Sequence, residues 1–455
     1  MAEVTQDRAT SEREGPLRRV IGPKLLLLFI IGDILGAGVY ALTGKVAGEV
    51  GGALWLPFLI AFAVAALTAC SYVELVGKYP QAAGAALYTN RAFGVPFVTF
   101  IVGFAVMASG ITSASTSARA FGGDYLSEFV TLPVVLVAVV FLVVLALVNF
   151  RGVSESVKAN VVLTLVELTG LLVIIGIGVY AVLSGDGEPS RLTEIESGDG
   201  VMFALLGGAS LAFFALVGFE DSVNMAEEVH KPNKVFPKAL LGGLAITGVI
   251  YILVALASSL LVDAKTLEKS SGPLLEVVKA GGVDFPPKLF ALIALFALTN
   301  TALINMLMAS RLVYGMSRER IVPGVFGRVH EGRRTPWVAI IFTTVLGFAL
   351  VSTAKVEDLG DTTALLLLCV FAVVNVAVLV LRRDPVDHDH FRVPTVVPVL
   401  GAITCVLLAS PLTGREGKVY LIAAGLMALG VVLWFVNRAV VGSAGQVGAD
   451  RHGER

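Results

Sequence analysis

Twelve apolar runs, each close to the thickness of a bilayer, constrain this chain more than any other feature. A hydrocarbon core of ~30 Å takes about 20 residues of helix. Runs of that kind fall near 23–47, 53–77, 95–121, 132–150, 159–183, 201–226, 237–262, 287–316, 337–354, 361–381, 396–412 and 419–437 of the 455 residues. They use up most of the chain and leave no room for a large soluble domain. Composition agrees. Hydrophobic residues make up 56% and charged residues 15%, where a soluble domain averages about 25% charged. The 48 glycines suit membrane helices, in which small residues let backbones approach closely. The chain therefore reads as an all-α polytopic membrane protein with twelve transmembrane helices. The first run is too long for a cleavable signal peptide and leads straight into the polytopic pattern.

Charge sets the expected orientation. With the N-terminus in the cytoplasm, 24 of the 34 Lys and Arg fall on the inside, among them Arg18, Arg19, Lys231, Arg318, Arg320, Arg328, Arg333, Arg334, Arg382 and Arg383. Cytoplasmic loops carry such an excess, and an even number of spans returns the C-terminus to the same side. A net charge of −1 offers no basic field for nucleic acid. Cys70, Cys369 and Cys405 lie in apolar runs without metal-ligand spacing, and the five His sit in polar loops or the tail. No metal and no cofactor is expected.

The first and sixth runs carry the chemistry. The first reads Gly32-Asp33-Ile34-Leu35-Gly36-Ala37-Gly38-Val39-Tyr40, and the sixth Phe213-Phe214-Ala215-Leu216-Val217-Gly218-Phe219-Glu220-Asp221-Ser222. Each glycine weakens a helix by about 1 kcal/mol relative to Ala. An acid at the bilayer centre costs roughly 2.5–3.5 kcal/mol on insertion scales. Carrying both costs at two places points to function. The two places are five runs apart, and five is odd, so two copies of a five-helix unit would have opposite orientations. That pattern predicts an inverted repeat with a discontinuous helix at the same place in each copy. Substrate sites of such transporters form where the broken helices meet.

At these residues the sequence resembles the amino acid–polyamine–organocation superfamily of permeases. The resemblance runs through Gly32–Tyr40, then Tyr72-Val73-Glu74-Leu75, Tyr79–Tyr88 and Arg91-Ala92-Phe93-Gly94. It continues through Phe213–Glu220, Glu227-Glu228-Val229-His230-Lys231-Pro232 and Ser310–Arg318. The nearest likeness is to bacterial relatives of the cationic amino acid transporters. The resemblance implies a LeuT-like five-plus-five core with two further helices: a disordered tail at 1–16, repeats at 17–184 and 201–382, two helices within 393–438, and a tail at 439–455. It implies alternating-access transport of amino acids or related amines across the cell membrane, with both termini cytoplasmic. Exchange of amino acids for polyamines is the alternative.

An α-amino acid presents a carboxylate and an ammonium. The carboxylate suits the N-terminus of the outer half of the first broken helix, near Gly36, Ala37 and Gly38. Following the family, the ammonium meets carbonyls at Ile31, which closes the inner half of the first broken helix, and at Phe214, Ala215 and Val217, beside Gly218. Asp33 departs from the small apolar residue of many relatives. It stands as an amine partner, a proton site or a structural hydrogen bond. Glu220 either orients the unwound segment or touches substrate. Glu167 stands where the family pattern has Lys, so the Lys-based coupling does not carry over. A buried acid there can hold a proton, help to hold a cation, or form a structural pair. The expected coupling ion is a proton, with sodium as the alternative. Glu74, Glu227, Glu228, Arg311 and Arg318 read as gate or loop ion pairs. A membrane enzyme would need a nucleophile, metal or cofactor constellation, and none is visible. No phosphate-binding Gly-Lys loop supports ATP-driven transport, and no filter-like repeat supports a channel.

Overall fold

The computed structural model describes residues 21–81, 84–151, 156–196, 200–318 and 322–450. The tail at 1–16, Arg18, Arg19, Ala82, Ala83 and Arg320 lie outside these, as does the side chain of Glu227. The described chain is helical throughout. Beside the helices, the one β-type feature among the described residues is an isolated bridge between Ile21 and Val229.

The first half comprises α1 (Pro23–Ile34), α2 (Ala37–Val50), α3 (Trp55–Lys78), α4 (Gly84–Phe93), α5 (Pro96–Ala120), α6 (Val134–Arg151) and α7 (Ser156–Ser184). The second half continues with α8 (Val201–Ala215), α9 (Pro232–Leu261), α10 (Ala264–Lys269), α11 (Pro273–Ala280), α12 (Pro287–Arg318), α13 (Trp337–Thr353), α14 (Val356–Leu381), α15 (Val396–Ala409) and α16 (Gly417–Asp450). Nine segments among the described residues are long and apolar enough to cross a membrane, with α1 and α2 counting together as one. Three shorter apolar helices, α8, α13 and α15, coincide with the other three runs in the sequence. Helices suit this environment because they satisfy their own backbone groups where lipid offers no partner. The short α4 and α11 lie in the connections between apolar runs.

Two of the apolar runs are interrupted. The first stops at Ile34 and restarts at Ala37. The sixth ends as α8 at Ala215 and resumes as a 3₁₀ segment, Asp221–Glu228. These elements sit at the centre: α2 packs on α8, α1 on α7 and α9, and α5 on α12 and α14. Polar side chains join helices inside the bundle, as is common between membrane helices. Asn375 of α14 meets Ser71 at 2.6 Å and Thr68 at 3.0 Å, both on α3.

The two ends of the bundle are tied by buried ion pairs. At one end Arg382 grips both carboxylate oxygens of Glu74 at 2.7 Å, and Val393 N–H adds a third bond at 3.0 Å. At the other end Arg415 Nε meets Asp361 Oδ1 at 2.7 Å, and Ser210 of α8 donates to the same oxygen at 3.0 Å. Ile21 N–H bonds to Glu228 C=O and His230 N–H to Ile21 C=O, both at 3.0 Å. The approach to α1 is thereby fastened to the exit of the second break.

Candidate functional site

At the first break, Leu35 N–H bonds back to Ile31 C=O at 2.8 Å and Gly36 N–H to Ile34 C=O at 2.6 Å. The chain restarts at Ala37, whose N–H donates to the hydroxyl of Thr301 on α12 at 2.9 Å. Tyr251 on α9 donates to Ile34 C=O at 2.6 Å. Glycine is required for these approaches. A Cβ on Gly36 would lie 2.7 Å from Thr301 Oγ1, and a Cβ on Gly38 would overlap the backbone of Ala215.

At the second break, Leu216 N–H turns back to Phe213 C=O at 3.0 Å and Val217 N–H to Phe214 C=O at 3.4 Å. Gly218 then takes φ +121°, a conformation that belongs to glycine. Its N–H donates to Glu220 Oε2 at 2.9 Å. A Cβ on Gly218 would come within 2.7 Å of Asp33 C=O, so the second break rests on the last turn of α1.

A cavity of about 70 Å³ occupies the junction. Asp33, Gly36, Ala37 and Gly38 line it from the first break, and Phe214, Ala215, Val217, Gly218 and Glu220 from the second. Nine of the eleven site residues read from the sequence thus share one wall-to-wall space. Tyr72 of α3, Ser109 and Ser113 of α5, Asn224 of the 3₁₀ segment, Thr301 and Asn305 of α12, and Thr363 of α14 add polar lining. Asp33, Glu220 and Asp221 contribute acids, and no Lys, Arg or His lines the cavity among the described residues.

Ile31 and Glu167 stand elsewhere. Ile31 was expected to close the inner half-helix. The bond from Leu35 N–H to Ile31 C=O carries α1 on to Ile34, so Ile34 reaches the cavity, and the buried Ile31 does not line it. Glu167 is wholly buried in α7, behind the first break. Its backbone carbonyl accepts the Tyr40 hydroxyl at 3.0 Å. Neither of its carboxyl oxygens has a protein hydrogen-bond partner, and the same holds for Asp33 Oδ2 and Asn160 Nδ2. Gly32 seats α1 against Thr164 and Asn160 of the same helix α7, where a Cβ would collide with both side chains.

Thr301, Asn305 and Tyr251 were not read from the sequence, and Tyr72 was read as part of a motif but not as a site residue. The signal for the first three was weak: Thr301 and Asn305 are two of several polar positions in a largely apolar run, and Tyr251 is a lone ring in another. Chemically, the start of α2 offers backbone N–H groups at the positive end of a helix, suited to an anion. The end of α8 offers the opposite pole. A small zwitterion bridging the two ends would satisfy both.

Comparison with known proteins identifies the family. The amino acid permease family model matches residues 21–438. A branched-chain amino acid permease of Bacillus subtilis is 26% identical over 88% of this chain and 89% of its own length. A methylthioribose transporter of the same organism is 27% identical over 92% and 93%. Cationic amino acid transporter 9 of Arabidopsis thaliana, a chloroplast protein by name, is 28% identical over 97% of this chain and 79% of its own length. With its apolar helices, two interrupted spans and a match over nearly its whole length, this chain is a multi-pass membrane protein that belongs to the amino acid permease family.

Proposed function

We propose that the protein is a secondary transporter that moves amino acids by alternating access. In this reading, twelve spans form a five-plus-five inverted repeat with two further helices, in the cell membrane, and both termini face the cytoplasm. The observation that carries it is the single cavity where the start of α2 and the end of α8 meet. The substrate carboxylate sits at the backbone N–H groups of Gly38 and its neighbours. The ammonium sits toward Phe214, Ala215 and Val217, within reach of the lining acids. Relatives named for branched-chain and for cationic amino acids fit a site built largely from backbone.

The charge balance narrows the substrate class. Asp33, Glu220 and Asp221 line the cavity without a basic side chain among the described residues, and buried charge without a partner is costly. A cation or a proton therefore accompanies them. Cationic or broadly chosen amino acids fit better than strictly acidic ones, which would add negative charge. Glu167 and Asp33 serve as the groups that hold the coupling proton. Glu167 is buried behind the first break and Asp33 half-buried beside it, and both carry buried oxygens without a protein partner.

Uptake into liposomes holding only this protein tests the reading. Labelled arginine, lysine, leucine, putrescine and glutamate are compared as substrates and competitors. Accumulation of a basic or neutral amino acid under an inward proton gradient is the expected result. Tight glutamate binding, with basic ligands unaffected by Asp33→Asn, would defeat the charge argument. Flux seen solely when substrate is present on both sides would identify an exchanger instead.

A further inference from the structure

A second cavity lies away from the transport site. It is a cleft of about 620 Å³ between α6 and α13, walled by Val143, Leu147, Phe150, Trp337, Ile341 and Val345, with Ala146 on its α6 side. Leu147, Ile341 and Val345 are each more than half exposed. In a multi-pass protein such a face meets lipid.

One end of the cleft is built differently from the rest. His330 lines it there and packs edge-on against Phe150, with ring centroids 5.1 Å apart. Thr335 Oγ1 donates to Phe150 C=O at 3.1 Å, so the loop before α13 is clamped to the end of α6. Inside that loop Arg334 N–H returns to His330 C=O at 2.7 Å, and Arg333 N–H to His330 Nδ1 at 3.2 Å. Arg334 adopts φ +54°. This tight turn leaves Arg333 and Arg334 exposed beside the cleft mouth. Arg151 follows Phe150 directly and is exposed too, as is Arg328. Among the described residues none of these four arginines joins an ion pair. Glu331 is the one acid between residues 322 and 336.

We propose that this cleft holds one anionic phospholipid, with an acyl chain between α6 and α13 and its phosphate on Arg333, Arg334 and Arg151. The chemistry selects the occupant. A lipid tail is as apolar as the side chains it touches, so any lipid fills the groove about equally well. Discrimination falls to the headgroup. Guanidinium groups match phosphate oxygens in pairs, and three unpaired ones at a single mouth demand negative charge. Trp337 stands at the same end, where indole rings favour the boundary between tails and headgroups.

The test uses the full-length protein purified from detergent and loaded with defined lipids, read by native mass spectrometry. Wild type is expected to retain one phosphatidylglycerol in preference to phosphatidylcholine. Each arginine near an anionic headgroup contributes roughly a fivefold preference, so R333Q/R334Q should lose on the order of 25-fold. Ala146→Trp, which fills the cleft and leaves the arginines in place, should lower retention of both lipids. Equal retention of the two lipids by wild type would overturn the proposal, as would an unchanged preference in R333Q/R334Q. Displacement by glycerol phosphate at the same concentration as lipid would show a free phosphate site and remove the acyl chain from the cleft. A second copy of the chain blocked by Ala146→Trp would assign the cleft to a dimer and equally refute it.

Discussion

The two helix breaks reach similar shapes by different means. The first is short, just Leu35 and Gly36, and is braced from outside by Thr301 of α12 and Tyr251 of α9. The second runs from 216 to 220 and is braced from within, by Glu220 on the N–H of Gly218. A break held by other helices responds when those helices move. A break held by its own sequence keeps its form while it travels. In an alternating-access cycle the first would be the reporting element, and the second a preformed piece that moves as a unit.

The largest expected effect breaks the contact between the two. Gly38→Leu drives a side chain into the backbone of Ala215 and fills the proposed carboxylate site. Transport should fall about 100-fold or more, because overlap with backbone puts the cost at or above the top of the ~1–3 kcal/mol typical of small-to-large changes in packed cores. Membrane insertion should stay normal, since one added Leu favours the bilayer. Normal substrate affinity in this variant would remove the first break from the site.

Gly218→Val comes next. It forces a β-branched residue into φ +121° and toward Asp33 C=O. Strained backbone of this kind costs of order 1–3 kcal/mol, so uptake should drop roughly 10- to 100-fold. An active Gly218→Val protein would mean that the second break is not a fixed piece.

The acids sharpen the comparison by separating rate from coupling. If uptake is proton-coupled, lowering the external pH raises it by mass action. Glu167→Gln keeps the shape and deletes a titrating group, so this rise should flatten. Glu220→Gln removes a charge-assisted bond of roughly 1.5–3 kcal/mol and leaves a neutral one. It should lower the rate several-fold while the pH profile keeps its slope. The reverse pattern, a flat profile in Glu220→Gln and a normal one in Glu167→Gln, would move the coupling group to the second break.

Both breaks were legible in the sequence because glycines and acids in an apolar run announce themselves locally. The length of α1 was not. Ile31 was placed at its end, and the extra turn depends on a bond from Leu35 N–H to Ile31 C=O that has no compositional signature. The braces were hidden for a different reason. Thr301 lies 264 positions from Ala37, and Tyr251 lies 217 from Ile34. A hydroxyl in an apolar run serves many roles, and tertiary packing alone assigns this one. Glu167 could be singled out as an acid in place of a base, yet its station behind the cavity needed the packing of α7 on α1.

The smallest expected effect is also the most direct test of external against internal bracing. Tyr251→Phe and Thr301→Val each remove one hydrogen bond to the first break. Side-chain hydrogen bonds between membrane helices average about 0.6 kcal/mol, so each variant should slow uptake by only about threefold. Residues that support one structural element couple, whereas distant sites without shared partners add within about 0.5 kcal/mol. The double variant Tyr251→Phe/Thr301→Val should therefore deviate from additivity, because both bonds hold the same Ile34–Ala37 junction. The cross-break pair Tyr251→Phe/Glu220→Gln should come closer to the sum, since Glu220 supports Gly218 through its own loop. Uptake rates of wild type, the two single variants and the double variant in each cycle decide the matter. Equal coupling in both cycles would mean that the two breaks move as one body and that the distinction between them has no mechanical content.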